Sequence, residues 1–326
     1  MKALSPLPKY PVSELDSQIF SVNIASDSSY MACALSSGEI GLFSGKTGRL
    51  SYRITNSTGF ESSTCIKFLP NNPKSFLVGS TDGTIKEWNT NGEPNMKWTT
   101  KEKGNQIFAL DISANSQYFV SAGLDKTVRV YDYVTKSIVY SLFRPEIDDG
   151  YSNGHTNRIF SVIFNKNDPT ILYSGGWDDT IQMWDLRSGS SVRSVFGPHI
   201  CGDSIDVFQN YLVAGSWRTQ NQIQLFDLRN FSEIKSSRWS NKSDDRQCLI
   251  YSLKFDSNGQ TVYAGGSGDT KVKSFCAQTL VPSGKATKLD SSILSMCTNA
   301  DSNELIIGTA SGKLYWFGLQ HTKQEN

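Results

Sequence analysis

The sequence lacks an excess of charge of either sign. Its 326 residues include 32 lysines and arginines and 31 aspartates and glutamates, so the formal net charge is +1. A protein that binds a polyanion mainly through charge shows a basic excess. The balance therefore argues against general nucleic-acid binding.

Long apolar runs are also absent. No run reaches the roughly 18 apolar residues that a membrane-spanning helix needs, so membrane insertion is not expected. The first residues, MKALSPLPKYPV, contain three prolines and no continuous apolar stretch, which argues against a secretory signal peptide. The six cysteines form no close pair and are interpreted as free thiols in a reducing compartment. The expected location is the cytoplasm, the nucleus or both.

Histidine is scarce. His155, His199 and His321 are the three histidines, and none has zinc-ligand spacing with a cysteine. We therefore expect no metal and no other cofactor.

Residues 154–187, GHTNRIFSVIFNKNDPTILYSGGWDDTIQMWDLR, contain three strand-like runs separated by turn-forming residues. The stretch opens with Gly154-His155 and closes its third run with Trp184-Asp185. It resembles a WD repeat (WD40) of the β-propeller family, whose repeats are roughly 40–45 residues long.

The same first-strand pattern occurs seven times, at spacings of 44, 44, 52, 43, 48 and 43 residues. Its anchor positions are Val22, Ile66, Leu110, Val162, Ile205, Leu253 and Met296. The sequence therefore predicts one all-β domain, a seven-bladed propeller with four-stranded antiparallel blades. The predicted blades are residues 19–54, 63–99, 107–143, 154–197, 203–239, 249–289 and 292–319.

Each repeat has an aromatic residue in its third strand, which would fill the space between neighbouring sheets and contribute roughly 1.5–3 kcal/mol by burial. These residues are Phe43, Trp88, Tyr131, Trp184, Phe226, Phe275 and Phe317. Only nine residues follow Phe317, too few for a turn and a full fourth strand. The resemblance implies that the N-terminal segment, residues 1–18, closes the propeller as the outer strand of the last blade, which removes an unpaired edge.

His155, Ser174, Asp178 and Trp184 could be mistaken for a hydrolase triad with an extra tryptophan. The resemblance implies a structural relay instead, in which the histidine bridges the aspartate and the serine, and the serine accepts the indole N–H. A catalytic serine would need an open pocket and an oxyanion site, which this spacing does not offer. We therefore expect a protein that is not an enzyme. Gly-His is missing from the other repeats, so those blades are expected to rely more on packing.

The residue two before each anchor is bulky and apolar in five of the seven repeats. The set is Phe20, Thr64, Phe108, Phe160, Asp203, Tyr251 and Leu294. The resemblance implies a bulge that turns this position toward the channel mouth, where WD-repeat proteins often contact peptides. Trp177 and Trp217 lie in turns that open on the same face. Two interpretations stay open: a partner-binding top face, or aromatic rings buried between blades.

Acidic residues occupy two connections near this face: Glu146, Asp148 and Asp149, and then Asp244 and Asp245. Acidic groups around aromatic rings would suit an arginine or lysine of a partner. Nearby arginines dilute the pattern, and a solvated rim of mixed charge is the alternative.

Blades four and five end in WDLR and FDLR, with Arg187 and Arg229 at the last position. Such endings resemble substrate receptors of cullin-4 ubiquitin ligases, where the arginines dock on the ligase adaptor at the bottom face. Asp-x-Arg is also a frequent turn sequence. The expected function is a non-catalytic scaffold for protein–protein interactions, within a multiprotein complex. The alternatives are a ligase substrate receptor and, less favoured, an enzyme that uses the central channel.

Overall fold

The computed structural model describes residues 2–56, 59, 61–144, 154–240, 246–283, 287–301 and 303–321. These residues form twenty-nine strands and no helix. The strands lie in seven sheets, each four strands across, whose neighbouring strands run antiparallel. The predicted all-β, seven-bladed propeller is confirmed.

Each of the first six blades contains four consecutive strands. Blade one consists of β3 (Ile19–Ile24), β4 (Tyr30–Leu35), β5 (Glu39–Ser44) and β6 (Leu50–Thr55), and blade two of β7 (Ser63–Leu69), β8 (Asn72–Ser80), β9 (Thr84–Asn89) and β10 (Asn95–Lys101). Blade three consists of β11 (Ile107–Ile112), β12 (Tyr118–Gly123), β13 (Val128–Asp132) and β14 (Ile138–Leu142). Blade four consists of β15 (Ile159–Phe164), β16 (Ile171–Gly176), β17 (Thr180–Asp185) and β18 (Ser190–Phe196). Blade five consists of β19 (Ile205–Phe208), β20 (Tyr211–Gly215), β21 (Ile223–Asp227) and β22 (Ser232–Ser237). Blade six consists of β23 (Leu249–Phe255), β24 (Thr261–Ser267), β25 (Lys271–Cys276) and β26 (Thr287–Lys288).

Both ends of the chain build the seventh blade. Its inner strands are β27 (Ile293–Thr298), β28 (Glu304–Thr309) and β29 (Lys313–His321). The outer strand comes from the N-terminal segment, because β1 (Lys2–Pro8) and β2 (Ser13–Glu14) pair one after the other along β29. Backbone hydrogen bonds thereby close the propeller, and β29 is covered rather than left as the outer edge of this blade.

Side-chain contacts also hold the N-terminal segment against the last blade. Trp316 donates its indole N–H to Glu304 Oε2 at 2.9 Å, and Lys9 forms an ion pair with the other oxygen of Glu304. The Tyr10 ring meets the Trp316 ring edge-on, with centroids 5.1 Å apart. Lys9 and Tyr10 therefore attach the N-terminal segment to the last blade by an ion pair and an aromatic contact.

The third-strand aromatic residues lie where the sequence predicts. Six are buried, and Trp88 is half-buried. Trp184 belongs to an apolar cluster that also contains Val120 and Val130 of blade three. The core is thus a series of such clusters between neighbouring sheets.

Close contact between blades depends on glycines in the second strands. A Cβ placed on Gly79 would lie 2.6 Å from Cγ2 of Ile107, the first residue of the next blade's inner strand. The same relation joins five pairs of neighbouring blades: Gly79–Ile107, Gly175–Ile205, Gly215–Ile250, Gly265–Ile293 and Gly308–Ile19. Glycine at this position lets an isoleucine fill the gap near the channel.

Candidate partner-binding site at the channel mouth

Six of the seven innermost strands contain a β-bulge at the position two before the anchor. The pairing register shifts across Phe20, Thr64, Phe108, Phe160, Tyr251 and Leu294. A bulge bends the strand and redirects one side chain. In blade five, Asp203 instead precedes β19, which begins at Ile205.

These side chains surround a cavity of about 400 Å³ at the channel mouth. All seven predicted mouth positions line it, and each is half-buried: Phe20, Thr64, Phe108, Phe160, Asp203, Tyr251 and Leu294. They are neither fully enclosed core residues nor free surface residues. The volume falls within the range of concave sites that bind small ligands or single side chains.

Trp177 and Trp217 each pack against an aromatic residue that lines the cavity. The Trp177 ring lies 5.3 Å from the Phe160 ring, and the Trp217 ring lies 5.6 Å from the Tyr251 ring. Neither tryptophan is among the described residues that line the cavity. The Arg158 guanidinium covers Trp177 at 4.5 Å from the ring centroid. The sequence predicts both tryptophans at the partner-binding face, and in the structure each packs against a wall residue without lining the cavity.

An ion-pair network crosses the channel at this level. Lys254 Nζ lies 2.9 Å from Asp203 Oδ1, and Lys67 Nζ lies 3.4 Å from Asp203 Oδ2. Burial by itself would raise the pKa of Asp203, but the charges of Lys254 and Lys67 outweigh burial and lower it to about 2. Lys67 belongs to blade two and Asp203 to blade five. Because these blades are not neighbours, their contact spans the channel.

Two further carboxylates lie near this network. Asp111 accepts the backbone N–H of Phe164, and Asp206 accepts that of Phe255, each at 2.8 Å. Each of these bonds links one blade to the next. Burial raises the pKa of Asp111 although Lys67 acts in the opposite direction.

The repeat pattern of the sequence does not predict this charged layer. Lys67, Asp111, Asp206 and Lys254 each stand one residue after an anchor. Charged residues inside otherwise apolar strands were the available signal. Their partners could not be identified, because Lys67 and Asp203 are 136 positions apart in the sequence.

The four relay residues of blade four are joined by hydrogen bonds. Asp178 Oδ2 lies 2.8 Å from His155 Nδ1, and His155 Nε2 lies 2.7 Å from Ser174 Oγ. Trp184 donates its indole N–H to the same serine oxygen at 2.7 Å. Burial would raise the pKa of Asp178, but hydrogen bonds from His155, Thr156 and Thr180 lower it. His155 and Ser174 are buried, so the serine hydroxyl is enclosed by protein.

Blades two and three contain polar networks of different composition. Asn56 donates to Ser63 at 3.0 Å and accepts the indole N–H of Trp88 at 3.0 Å. In blade three, buried Glu102 accepts the Tyr131 hydroxyl at 2.8 Å and pairs with Arg129 at 2.9 Å. The expectation that blades without Gly-His rely on packing was therefore too narrow, because an amide and a carboxylate replace the histidine.

Arg187 and Arg229 occupy equivalent turns of neighbouring blades. Each guanidinium binds the aspartate two residues earlier, at 2.7 Å to Asp185 and at 2.6 Å to Asp227. Their side chains are 66% and 67% exposed. Both arginines are thus accessible and held in the same geometry.

The acidic residues that the sequence predicts near the top face, at positions 146, 148, 149, 244 and 245, lie outside the described residues. Within the described ranges, no group of three or more histidine, cysteine, aspartate or glutamate residues is arranged to hold a metal ion. The same ranges contain no helix long and apolar enough to cross a membrane.

Comparison with known proteins identifies repeats and relatives. Residues 53–89, 93–132 and 150–185 match the WD40 family model, "WD domain, G-beta repeat". The chain is 26% identical over 234 residues to pre-mRNA-processing factor 19 of Oryza sativa subsp. japonica, covering 71% of this chain and 41% of that protein. It is 25% identical over 215 residues to the guanine nucleotide-binding protein subunit beta of the same organism, covering 63% and 55%.

A third relative is the serine-threonine kinase receptor-associated protein of Dictyostelium discoideum, 27% identical over 269 residues, with 79% of this chain and 76% of the relative covered. The chain spans less than two thirds of the length of the first two relatives. Three segments that match the WD40 repeat model, within a closed ring of seven four-stranded blades, lead to one assignment: the chain is a seven-bladed β-propeller that contains WD40 repeats.

Proposed function

We propose that this protein is a non-catalytic interaction scaffold that binds partner proteins or peptides on its top face and at the channel mouth. The observation that carries the proposal is the wall of half-buried apolar side chains around the 400 Å³ cavity. A concave cavity lined mainly by apolar side chains, with a few polar groups, is the usual form of a binding site. Aromatic anchors also dominate binding energies at protein interfaces.

The absence of catalysis is part of the proposal. Ser174 is enclosed and already bonded to His155 and Trp184. At the mouth, Asp203 is engaged by lysines at both carboxylate oxygens. Neither arrangement offers a poised base beside an accessible nucleophile, which general acid–base or nucleophilic chemistry requires.

Relatives support a role in assemblies. One is named as a subunit of a guanine nucleotide-binding protein and another as a protein associated with a kinase receptor. WD40 relatives of this kind support a protein-interaction role in general. We propose that this chain acts within a multiprotein complex in the cytoplasm, the nucleus or both.

We also propose that arginine or lysine residues of a partner bind at the rim of the top face. This proposal rests on the acidic residues of the two connections at positions 146–149 and 244–245. Inside the mouth, the Asp203 carboxylate is already neutralised by Lys67 and Lys254. A basic residue of a partner would therefore meet the rim rather than the cavity.

Affinity purification from cell lysate tests the scaffold function. The parent should capture a reproducible set of proteins, and Phe160→Ala should lose most of it. Tyr211→Ala is the matched control, because Tyr211 is a partly exposed aromatic residue that does not line the mouth cavity. Equal capture by the parent and by Phe160→Ala would contradict the proposed top-face site.

A second candidate function is that of a substrate receptor for a cullin-4-type ubiquitin ligase. The observation that favours it is the matching exposed geometry of Arg187 and Arg229 on adjacent blades. Presence of the cullin-4 adaptor among the captured proteins would support this candidate. Its absence from the captured set would argue for the scaffold alone.

A further inference from the structure

The outer strand of blade three differs from the other outer strands in its lack of charge. β14 has the sequence IVYSL and contains no charged residue. Each other outer strand of blades one to six contains at least one: Arg53 in β6, Lys97 and Lys101 in β10, Arg193 in β18, Glu233 and Lys235 in β22, and Lys288 in β26. Charged side chains on an edge strand oppose its pairing with another chain. β14 lacks this protection.

Apolar side chains are concentrated along the same rim. Of the 14 large apolar side chains that are exposed in the described part of the chain, four lie between residues 134 and 143. Ile138 and Val139 belong to β14, and Phe143 follows it directly. Among the strands that the structure describes, only β13 pairs with β14. An exposed apolar edge of this kind can accept a further strand through its backbone.

A β-bulge at Val139 limits how much of this edge can pair regularly. The register with β13 shifts between Ile138 and Tyr140. Corresponding bulges interrupt β6, β10, β18 and β22, so the bulge does not distinguish β14 from the charged outer strands. A bulge bends its strand and locally disrupts pairing. Regular pairing along the outer edge is therefore centred on residues 140–142, and the interface should be small.

The residues on either side of Ser141 are complementary to each other. In an antiparallel pair with two-fold symmetry about Ser141, residues at equal distances from it lie opposite each other. Val139 of one copy then lies opposite Phe143 of the other, and the symmetry repeats this contact. A β-branched residue opposite an aromatic residue is a favourable cross-strand pair. The two side chains, 42% and 55% exposed in the single chain, would cover each other.

We propose that β14 is a self-association site, at which two copies of this protein pair edge to edge through blade three. The lack of charge favours a second copy, because two identical strands in a two-fold pair bring identical charges together, and like charges oppose pairing. The outer strands of the neighbouring blades would bring lysine or arginine side chains together in such a pair. Since the paired segment is short, the dimer should be weak and should form at high protein concentration.

Sedimentation velocity of the full chain over about 2–200 µM measures this association. The weight-average mass of the parent should rise with concentration towards that of a dimer. Ser141→Lys places two ammonium groups at the centre of the pair and should weaken self-association about tenfold or more. Ser194→Lys is the matched control and should associate like the parent. Both serines are exposed, and Ser194 lies opposite Gln182 in blade four as Ser141 lies opposite Arg129 in blade three.

Variants of opposite charge test whether the occupant is a second copy. Ser141→Glu alone should also associate more weakly than the parent. A mixture of Ser141→Lys and Ser141→Glu should recover association, because opposite charges then face each other across the two-fold axis. Thermal melting of each variant checks that it is folded. If Ser141→Lys fails to fold, the comparison of Ser141→Glu with the parent and with Ser194→Lys still decides.

A parent that stays monomeric over the whole concentration range would overturn the inference. Association that survives Ser141→Lys, or a mixture of the two charge variants that recovers nothing, would overturn it as well. If a monomeric parent captures another protein through Ser141, the partner of β14 is a strand of that protein and not a second copy. The top-face function is tested separately, since Phe160→Ala should lose partner capture and leave self-association unchanged.

Discussion

Phe108 and Phe160 stack face to face at the channel mouth, with ring centroids 4.8 Å apart and planes inclined by 8°. They come from the bulges of neighbouring blades and are separated by 52 positions in the sequence. Each ring covers one face of the other, while both still line the cavity. The pair therefore contributes to stability and to the proposed binding surface at once.

The stacked pair should show coupled effects on stability. We expect Phe108→Ala and Phe160→Ala each to cost less than the about 3–5 kcal/mol of a fully buried aromatic residue. The double variant should cost less than the sum of the single variants, by about 0.5–1.5 kcal/mol. Chemical denaturation of the four proteins measures this coupling. Strict additivity would show that the stack contributes nothing, and unchanged partner capture by both variants would remove their binding role.

The relay in blade four should matter for stability more than a similar surface pair. His155→Ala or Asp178→Ala leaves buried polar partners without hydrogen bonds, at a cost of about 1–3 kcal/mol. His199→Ala is the control, because His199 also pairs with an aspartate, Asp179 at 2.6 Å, but is 27% exposed. Thermal melting should rank both relay variants below the control. The same melting temperature for all three would argue against a stabilising relay.

Asp203 should make unfolding depend on acid pH. Its folded-state pKa of about 2 lies below the ordinary value near 3.8. The stabilisation is therefore complete above the ordinary pKa and is lost as the pH falls toward about 2. The free energy of unfolding of Asp203→Asn should fall less steeply than that of the parent between roughly pH 5 and pH 2. Parallel curves for the two proteins would contradict the ion-pair network.

Removal of the N-terminal strand should open the propeller. Deletion of residues 1–15 takes away β1, β2 and the Lys9–Glu304 contact, which exposes the edge of β29. We expect aggregation or loss of a single cooperative unfolding transition, because exposed strand edges pair with other chains. Size-exclusion chromatography and calorimetry provide the measurement. Trp316→Phe, which removes one hydrogen bond from this region, should remain monodisperse. A monodisperse deletion variant with unchanged melting would refute the closure role.

Alanine at Arg187 and Arg229 tests the second candidate function. The double variant should lose co-purification of the cullin-4 adaptor if the parent binds it. Its stability should change by no more than about 0.5 kcal/mol, because both side chains are largely exposed. A parent protein that never captures the adaptor would end the ligase interpretation before the variants are made.

The sequence predicts the repeated parts of this molecule well. Aromatic residues such as Trp184 recur at one strand position, and burial between sheets is a local requirement that each repeat must meet separately. The mouth positions were also predictable, since a bulge at one place in each strand redirects the same residue. Whether Phe108 was core or surface could not be decided, because half-burial depends on how neighbouring blades approach each other.

The sequence pattern does not predict the buried charged residues, because these residues differ from repeat to repeat. Glu102 stands before blade three in a position that reads as an exposed loop, yet it is buried and pairs with Arg129. Lys67 can contact Asp203 only when the propeller is closed, because the two residues belong to blades that are not neighbours. Residues that differ from repeat to repeat and contact distant partners leave no periodic pattern, so the sequence of one chain does not indicate which of them pair.

The pairing of β1 with β29 also bears on the order of events during synthesis. About 300 residues separate Pro8 from Lys313. At roughly 5–20 residues per second, the ribosome takes about 15–60 s to supply the partner of the first strand. Blades one to six can form while the chain grows, but β1 stays without its partner until β29 has been synthesised. A binding partner or chaperone that shields this segment would act in that interval, when an unpaired strand is most open to wrong association.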